Sequence, residues 1–147
     1  MPEAVRPSKS SRPAPVPDPE TEPYWEGVRR RELLIPRCRS CSARWFPPSM
    51  SCPACSGFDY EWAAASGRGE IVTYTVVHRA PGPAFADRTP YVVAIIQLAE
   101  GPRLLTNVVE CSPEEVSIGM PVEVTFEEIT ADATVPQFRP LAKKEGG

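Results

Sequence analysis

A chain of 147 residues has room for one ordinary domain or two small ones, and its 41% hydrophobic content can furnish a packed core. The net charge of −3 divides unevenly: residues 1–66 carry nine Arg or Lys against eight acids, while 67–141 carry five Arg against ten acids, a balance that repels a phosphate backbone. No run approaches the roughly 20 apolar residues of a membrane span, and MPEAVRPSKS lacks the apolar centre of a secretory signal, so a soluble, cytoplasmic protein without membrane contact is expected.

Seven of the 19 prolines fall in the first 23 residues. That stretch has no aromatic before Tyr24 and cannot bury enough apolar surface to offset its chain entropy. Residues 1–20 are therefore expected to be a disordered Pro-rich tail or linker. A helix is predicted over 22–32, with Thr21 as N-cap and Pro23 in its first turn. Tyr24, Trp25 and Val28 share one face of it. That face either packs on the next module or docks on a partner, and the Arg run 29–31 reads as a solvated face.

The segment 38–55 reads CRSCSARWFPPSMSCPAC. Two CxxC pairs, Cys38/Cys41 and Cys52/Cys55, are separated by a stretch short enough to fold back, and four thiolates so spaced suit a tetrahedral metal. Each pair turns two sulfurs toward a common centre, which predicts a zinc ribbon over 21–66 together with the helix. A strand at 33–37 delivers Cys38, and Trp45 and Phe46 are expected to begin the return strand, stiffened by Pro47 and Pro48. Disulfides would need an oxidising compartment, and a thioredoxin-like pair would need a strand before it and a helix after it. Iron in a rubredoxin-like site uses the same four sulfurs, and either metal is structural because no ligand position stays open. Beyond Gly57, Phe58, Tyr60 and Trp62 alternate with Asp59 and Glu61, the pattern of a half-buried strand.

From Gly67 the pattern becomes five β segments over 67–141. GRGE is a turn, followed by strands at 71–78, 91–98 and 103–109. In SPEEV, Ser112 and Glu115 form a capping box around a short helix ending at Gly119. Val122, Val124 and Phe126 then alternate inward over 121–128, PQFRPL closes the series, and 142–147 is a flexible C-terminus. Three strands, a short helix and two strands is the order of a five-stranded Greek-key barrel of the OB type. The expected fold is mostly β: an N-terminal helix, a rubredoxin-like ribbon, and an OB barrel.

The lone histidine, His78, precedes a 12-residue loop, RAPGPAFADRTP, on what would be the binding side of such a barrel. Cys111 stands outside the ribbon. A His78/Cys111 nucleophile pair lacks an orienting third residue, and a lone cysteine is most often a small buried hydrophobe. No paired carboxylates or phosphate-binding glycine motif appears, so the chain reads as a binding module and not as a complete enzyme. Ribbon and barrel modules often bind nucleic acid, and that is the alternative reading; the acidic barrel argues against it.

The order of YWEGVRRRELLIPRCRSC, RWFPPSMSCPAC, YTVVHRAPGPAF, PYVVAIIQLAEGPRLLTNV, IGMPVEVTFEE and PQFRP resembles the DUF35 family of zinc-ribbon OB-fold proteins, from about Tyr24 to Leu141. The resemblance implies an accessory subunit of acyl-CoA enzymes. Its partners would be thiolases, hydroxymethylglutaryl-CoA synthases or aldolases of steroid side-chain breakdown, with MaoC-type hydratase subunits fused or adjacent. The partner supplies catalysis while the ribbon–barrel protein supports assembly and helps enclose the thioester. It further implies zinc at Cys38, Cys41, Cys52 and Cys55, acyl-CoA contacts at His78, Arg79, Phe85, Arg88 and Tyr91, and a partner surface at Tyr24, Trp25, Val28, Trp45 and Phe46. The leader lies outside the family pattern, and is read as an inter-domain linker of a longer hydratase-type subunit.

Overall fold

Proline at its head and a backward turn at its foot confine the first helix, α1 (Glu22–Arg29). The computed structural model describes residues 13–141; the expectations placed on 1–12 and 142–147 fall outside the described residues. Pro23 sits in the first turn, Glu22 lies at the helix's positive end and Arg29 at its negative end. Thr21 does not cap through its side chain; its hydroxyl donates to the Asp18 carboxylate at 3.0 Å. The helix is shorter than the expected 22–32 because the chain folds back at once. Arg31 takes a left-handed φ of 64°, and the Glu32 N–H returns to the Gly27 carbonyl at 2.8 Å. A Cβ on Gly27 would meet Leu34 at 2.9 Å, so glycine here lets α1 lie directly on the strand that follows.

That strand, β1 (Leu34–Cys38), pairs antiparallel with β2 (Tyr60–Ala64), from Leu34↔Ala64 to Cys38↔Tyr60. The return strand is thus β2 and not the stretch at Trp45 and Phe46, where only an Arg37↔Arg44 bridge forms. Pro47 and Pro48 have no N–H to extend a ladder from that bridge. Phe58, expected on the buried side of this strand, precedes it and is 77% exposed.

Five strands close the barrel: β3 (Arg68–Val77), β4 (Tyr91–Leu98), β5 (Arg103–Val108), β6 (Pro121–Thr130) and β7 (Ala133–Pro140), in the order β3-β4-β5-β7-β6. This is the OB-like arrangement expected from the order of strands. Along β4, Val92, Ala94, Ile96 and Leu98 are buried while the residues between them are half-exposed, the period of two expected for a sheet with one face inward. Only Gly67 of the expected GRGE turn actually turns, with φ +83°. Arg68, Gly69 and Glu70 already pair with Glu123, Val122 and Pro121, a closure contact made with a strand far along the sequence. Val77 ends β3, and β7 starts earlier than PQFRPL because Ala133, Thr134 and Val135 hairpin onto Thr130, Glu128 and Glu127. The helix expected to end at Gly119 is a single 3-10 turn, Pro113–Glu115. Its Glu115 carboxylate accepts the Ser112 N–H at 3.0 Å, after which Val116 is extended.

One apolar cluster runs through both parts of the chain. Tyr24 and Val28 of α1, Leu33 and Ile35 join Ile71, Val92, Ile96, Val122 and Phe138 of the barrel. Cys38, Trp45 and Cys52 form a smaller cluster beneath the four-cysteine end, with Tyr60 packed against it. No helix among the described residues is long and apolar enough to cross a membrane.

Candidate metal centre and binding groove

Each CxxC pair folds into the same knuckle. After the first cysteine of each pair the backbone reverses: the Ser42 N–H donates to the Cys38 carbonyl at 2.9 Å and the Ser56 N–H to the Cys52 carbonyl at 2.8 Å. Ser42 and Ser56 take the left-handed conformation, φ 67° and 65°, that lets the chain leave the turn. The closing bonds match as well, Cys38 N–H to the Ala43 carbonyl at 2.8 Å and Cys52 N–H to the Gly57 carbonyl at 2.9 Å.

Two such knuckles, facing one another, bring all four Sγ atoms within 4.8 Å of one another. Cys38 and Cys55 sulfurs are 3.7 Å apart and Cys41 and Cys52 sulfurs 3.6 Å apart. A metal bound tetrahedrally at about 2.3 Å from each thiolate needs its sulfurs about 3.8 Å apart, so the donor set fits that ion. Backbone amides favour the thiolate forms of Cys38 and Cys52. The Cys41 N–H donates to Cys38 Sγ at 3.5 Å, and this bond above all holds the Cys38 thiol down to about 6. Burial works against the Cys52 thiolate, but N–H groups of Cys55 and Ala54 at 3.4 Å bring that thiol below its ordinary range. With four protein ligands the ion supplies folding energy and no open coordination position.

Of the residues expected to face a partner, Tyr24, Val28 and Trp45 are inside: 4%, 0% and 6% exposed. The amphipathic face of α1 is covered by the chain's own β1 and β7, and burial pushes the Tyr24 hydroxyl far above the usual phenol range. Trp25 and Phe46 remain half-buried. Both stack on Tyr24, Trp25 edge-on at 4.9 Å and Phe46 tilted at 5.4 Å.

Around the long loop, Phe85 and Tyr91 lie together, ring centres 5.9 Å apart. His78 and Arg79 are exposed, and neither has a hydrogen-bond or ion-pair partner among the described residues. Arg88 is not a free cation: its Nη2 pairs with Glu127 Oε2 at 3.2 Å. Cys111 packs against the barrel core. Four arginines of the basic stretch around the ribbon are likewise matched by carboxylates, Arg30 by Glu32, Arg31 by Glu128, Arg37 by Glu61 and Arg39 by Asp59, at 2.8–3.6 Å.

A groove of about 410 Å³, not foreseen from the sequence, runs where α1, the ribbon loop and the barrel meet. Trp25, Phe46 and Phe85 wall it, and Leu105, Thr106 and Asn107 of β5 with Val135, Pro136 and Gln137 of β7 form its floor. It exists because β5 and β7 are laddered at one pair only, Val108↔Phe138. Pro136 within β7 was the available signal, since a proline inside a strand marks an interrupted ladder.

Comparison with known proteins agrees with this architecture. Residues 25–61 match the family model described as "ChsH2, rubredoxin-like zinc ribbon domain", and residues 62–127 that described as "ChsH2, C-terminal OB-fold domain". A DUF35 domain-containing scaffold protein of Methanocaldococcus jannaschii is 43% identical over 110 residues, which are 74% of this chain and 77% of that protein. A probable enoyl-CoA hydratase alpha subunit of Thermomonospora curvata is 39% identical over 137 residues, 93% of this chain. The chain spans 42% of the length of that subunit. Among solved structures, a chain of an Ltp2-ChsH2(DUF35) aldolase superposes with a TM-score of 0.79 at 40% identity, over 86% of this chain and 98% of that one.

Proposed function

Because the chain belongs to the DUF35 family of zinc-ribbon and OB-fold proteins, we propose that it is a non-catalytic subunit that binds a thiolase-like or aldolase enzyme, supports its assembly and helps enclose an acyl-CoA thioester. The observation that carries this reading is the likeness, over nearly the whole described chain, to a chain of an Ltp2-ChsH2(DUF35) aldolase. Relatives named as scaffold proteins support the non-catalytic role. The residues support it too, since His78 stands in solvent without a partner among the described residues while Cys111 packs on the core.

In this reading the metal, zinc, held by Cys38, Cys41, Cys52 and Cys55 fixes the shape of the ribbon and takes no part in chemistry. Trp25 and Phe46, the accessible members of the aromatic face, meet the partner, where large rings add contact area at low entropic cost. Phe85 and Tyr91 border the thioester arm, while Arg79 offers charge to phosphate and His78 a hydrogen-bonding ring. Relatives named as hydratase alpha subunits support a MaoC-type hydratase as a further associate, and steroid side-chain thioesters are the substrate class that follows.

Affinity capture of the chain from its native extract at moderate salt, followed by mass spectrometry, tests the reading. Recovery of a thiolase-like or aldolase protein bears it out. Recovery of nucleic acid, or of nothing that handles acyl-CoA, overturns it.

A further inference from the structure

The groove at the β5–β7 seam also touches the stretch 13–17, through Pro13. Its floor is the place where the barrel ladder fails: Pro136 has no N–H to give, and its carbonyl accepts the Thr106 hydroxyl at 3.3 Å. Leu105 is left 70% exposed on that floor, and Trp25, Phe46 and Phe85 stand above it. The indole N–H of Trp25 has no acceptor among the described residues.

The sequence PAPVP at 13–17 places proline at every second position. Fixed φ near −65° biases such a stretch toward polyproline II, whose carbonyls point outward and whose ordering costs little entropy. Segments of that kind bind grooves walled by aromatic rings. Pro15 is half-buried between the exposed Ala14 and Val16, so the strap turns one edge toward the protein. A reciprocal turn sets its exit: the Thr21 N–H donates to Asp18 Oδ1 at 2.9 Å and the Asp18 N–H to Thr21 Oγ1 at 3.2 Å.

We propose that this groove is a polyproline-binding site and that the strap 13–17 is its resident ligand, entering it at Pro13 with a prolyl edge toward the aromatic wall. The strap then covers the Trp25 end of the groove, leaves Leu105 open, and must leave before another extended segment can take the aromatic wall. This inference does not rest on the partner assignment, and its test needs only the isolated chain of 147 residues.

The test compares that chain with its Pro13→Gly, Pro15→Gly double variant. Both prolines lie outside the core clusters, and metal content with the melting curve checks that the fold is kept. Acrylamide quenching of tryptophan fluorescence is read in both, and a Trp25→Phe background isolates the Trp25 share. The variant is expected to show a larger quenching constant for Trp25, and a synthetic peptide with the sequence of residues 12–19 is expected to restore protection saturably. Unchanged quenching together with no saturable peptide binding overturns the proposal. Protection that rises with protein concentration in place of peptide overturns it also, by assigning the groove to a second copy of the chain.

Discussion

Arg88 Nη2 stands 3.2 Å from Glu127 Oε2, an ion pair that ties the loop between β3 and β4 to β6. Both side chains keep about a third of their surface in water, so the pair restrains the loop more than it stabilises the fold. Arg88→Gln is expected to lower stability by no more than about 1 kcal/mol while speeding hydrogen exchange of the loop amides around Phe85. Exchange as slow as in the parent chain would mean that the loop is held elsewhere.

Replacing Cys38 or Cys52 by Ser should cost the ribbon its metal and most of its stability, because such an ion contributes on the order of 10 kcal/mol to a module this small. Metal analysis and a melting curve check this, and a strong chelator during heating should reproduce it in the parent chain. Unchanged metal content with an unchanged melting curve would refute the assignment of the site.

Phe138 has no exposed surface and lies in the cluster shared by barrel and helix. Phe138→Ala should therefore cost about 3–5 kcal/mol, the transfer term plus the cavity left behind. Denaturant unfolding measures it. A loss under about 1 kcal/mol would mean that neighbours collapse into the space.

Burial, and after it the Glu115 carboxylate, hold the Cys111 thiol above the ordinary cysteine range. A raised value means that the fold favours the neutral thiol, so this contribution to stability is full below the ordinary value and is lost as pH rises through the folded one. Alkylation by iodoacetamide should run slower than for an unstructured thiol at neutral pH and accelerate only above the ordinary range. Mass spectrometry of the modified residue reads the rate. If the chain is a subunit of an acyl-CoA enzyme, Cys111→Ser should leave turnover of that complex nearly intact, and a collapse of turnover without loss of assembly would restore Cys111 as a nucleophile.

If Trp25 and Phe46 carry the partner contact, changing both to Ala should weaken co-purification of the enzyme by more than about tenfold, since buried aromatic anchors are worth about 2 kcal/mol or more each. Metal content should not change. Undiminished capture would move the interface elsewhere on the chain.

Alternating burial made most of the barrel legible in the residues alone: 91–98 coincides with β4, and Val122 faces inward as its period of two requires. The four-cysteine set was equally plain, because CxxC turns are local chemistry. What sequence could not supply was closure. Nothing near Arg68 says that it pairs with Glu123, and nothing near Trp45 says that β1 prefers Tyr60–Ala64 over its immediate neighbours. The same limit explains Tyr24 and Val28, whose apolar face was evident but whose cover, β1 and β7, comes from other parts of the chain. The groove is a gap between strands that are not consecutive, and Pro136 was its one local sign in the sequence.

Tyr24, Val28, Leu33 and Ile35 share one cluster with Ile71, Val92 and Phe138, and the junction is pinned again where the Ala65 N–H meets the Leu33 carbonyl at 2.8 Å and the Ser66 N–H meets the Glu100 carboxylate at 2.7 Å. Ribbon and barrel therefore form a ruler, not a hinge. Whatever grips the knuckle end and the loop end together is held at a set spacing, and a force applied at one end is carried to the other instead of being absorbed by a joint.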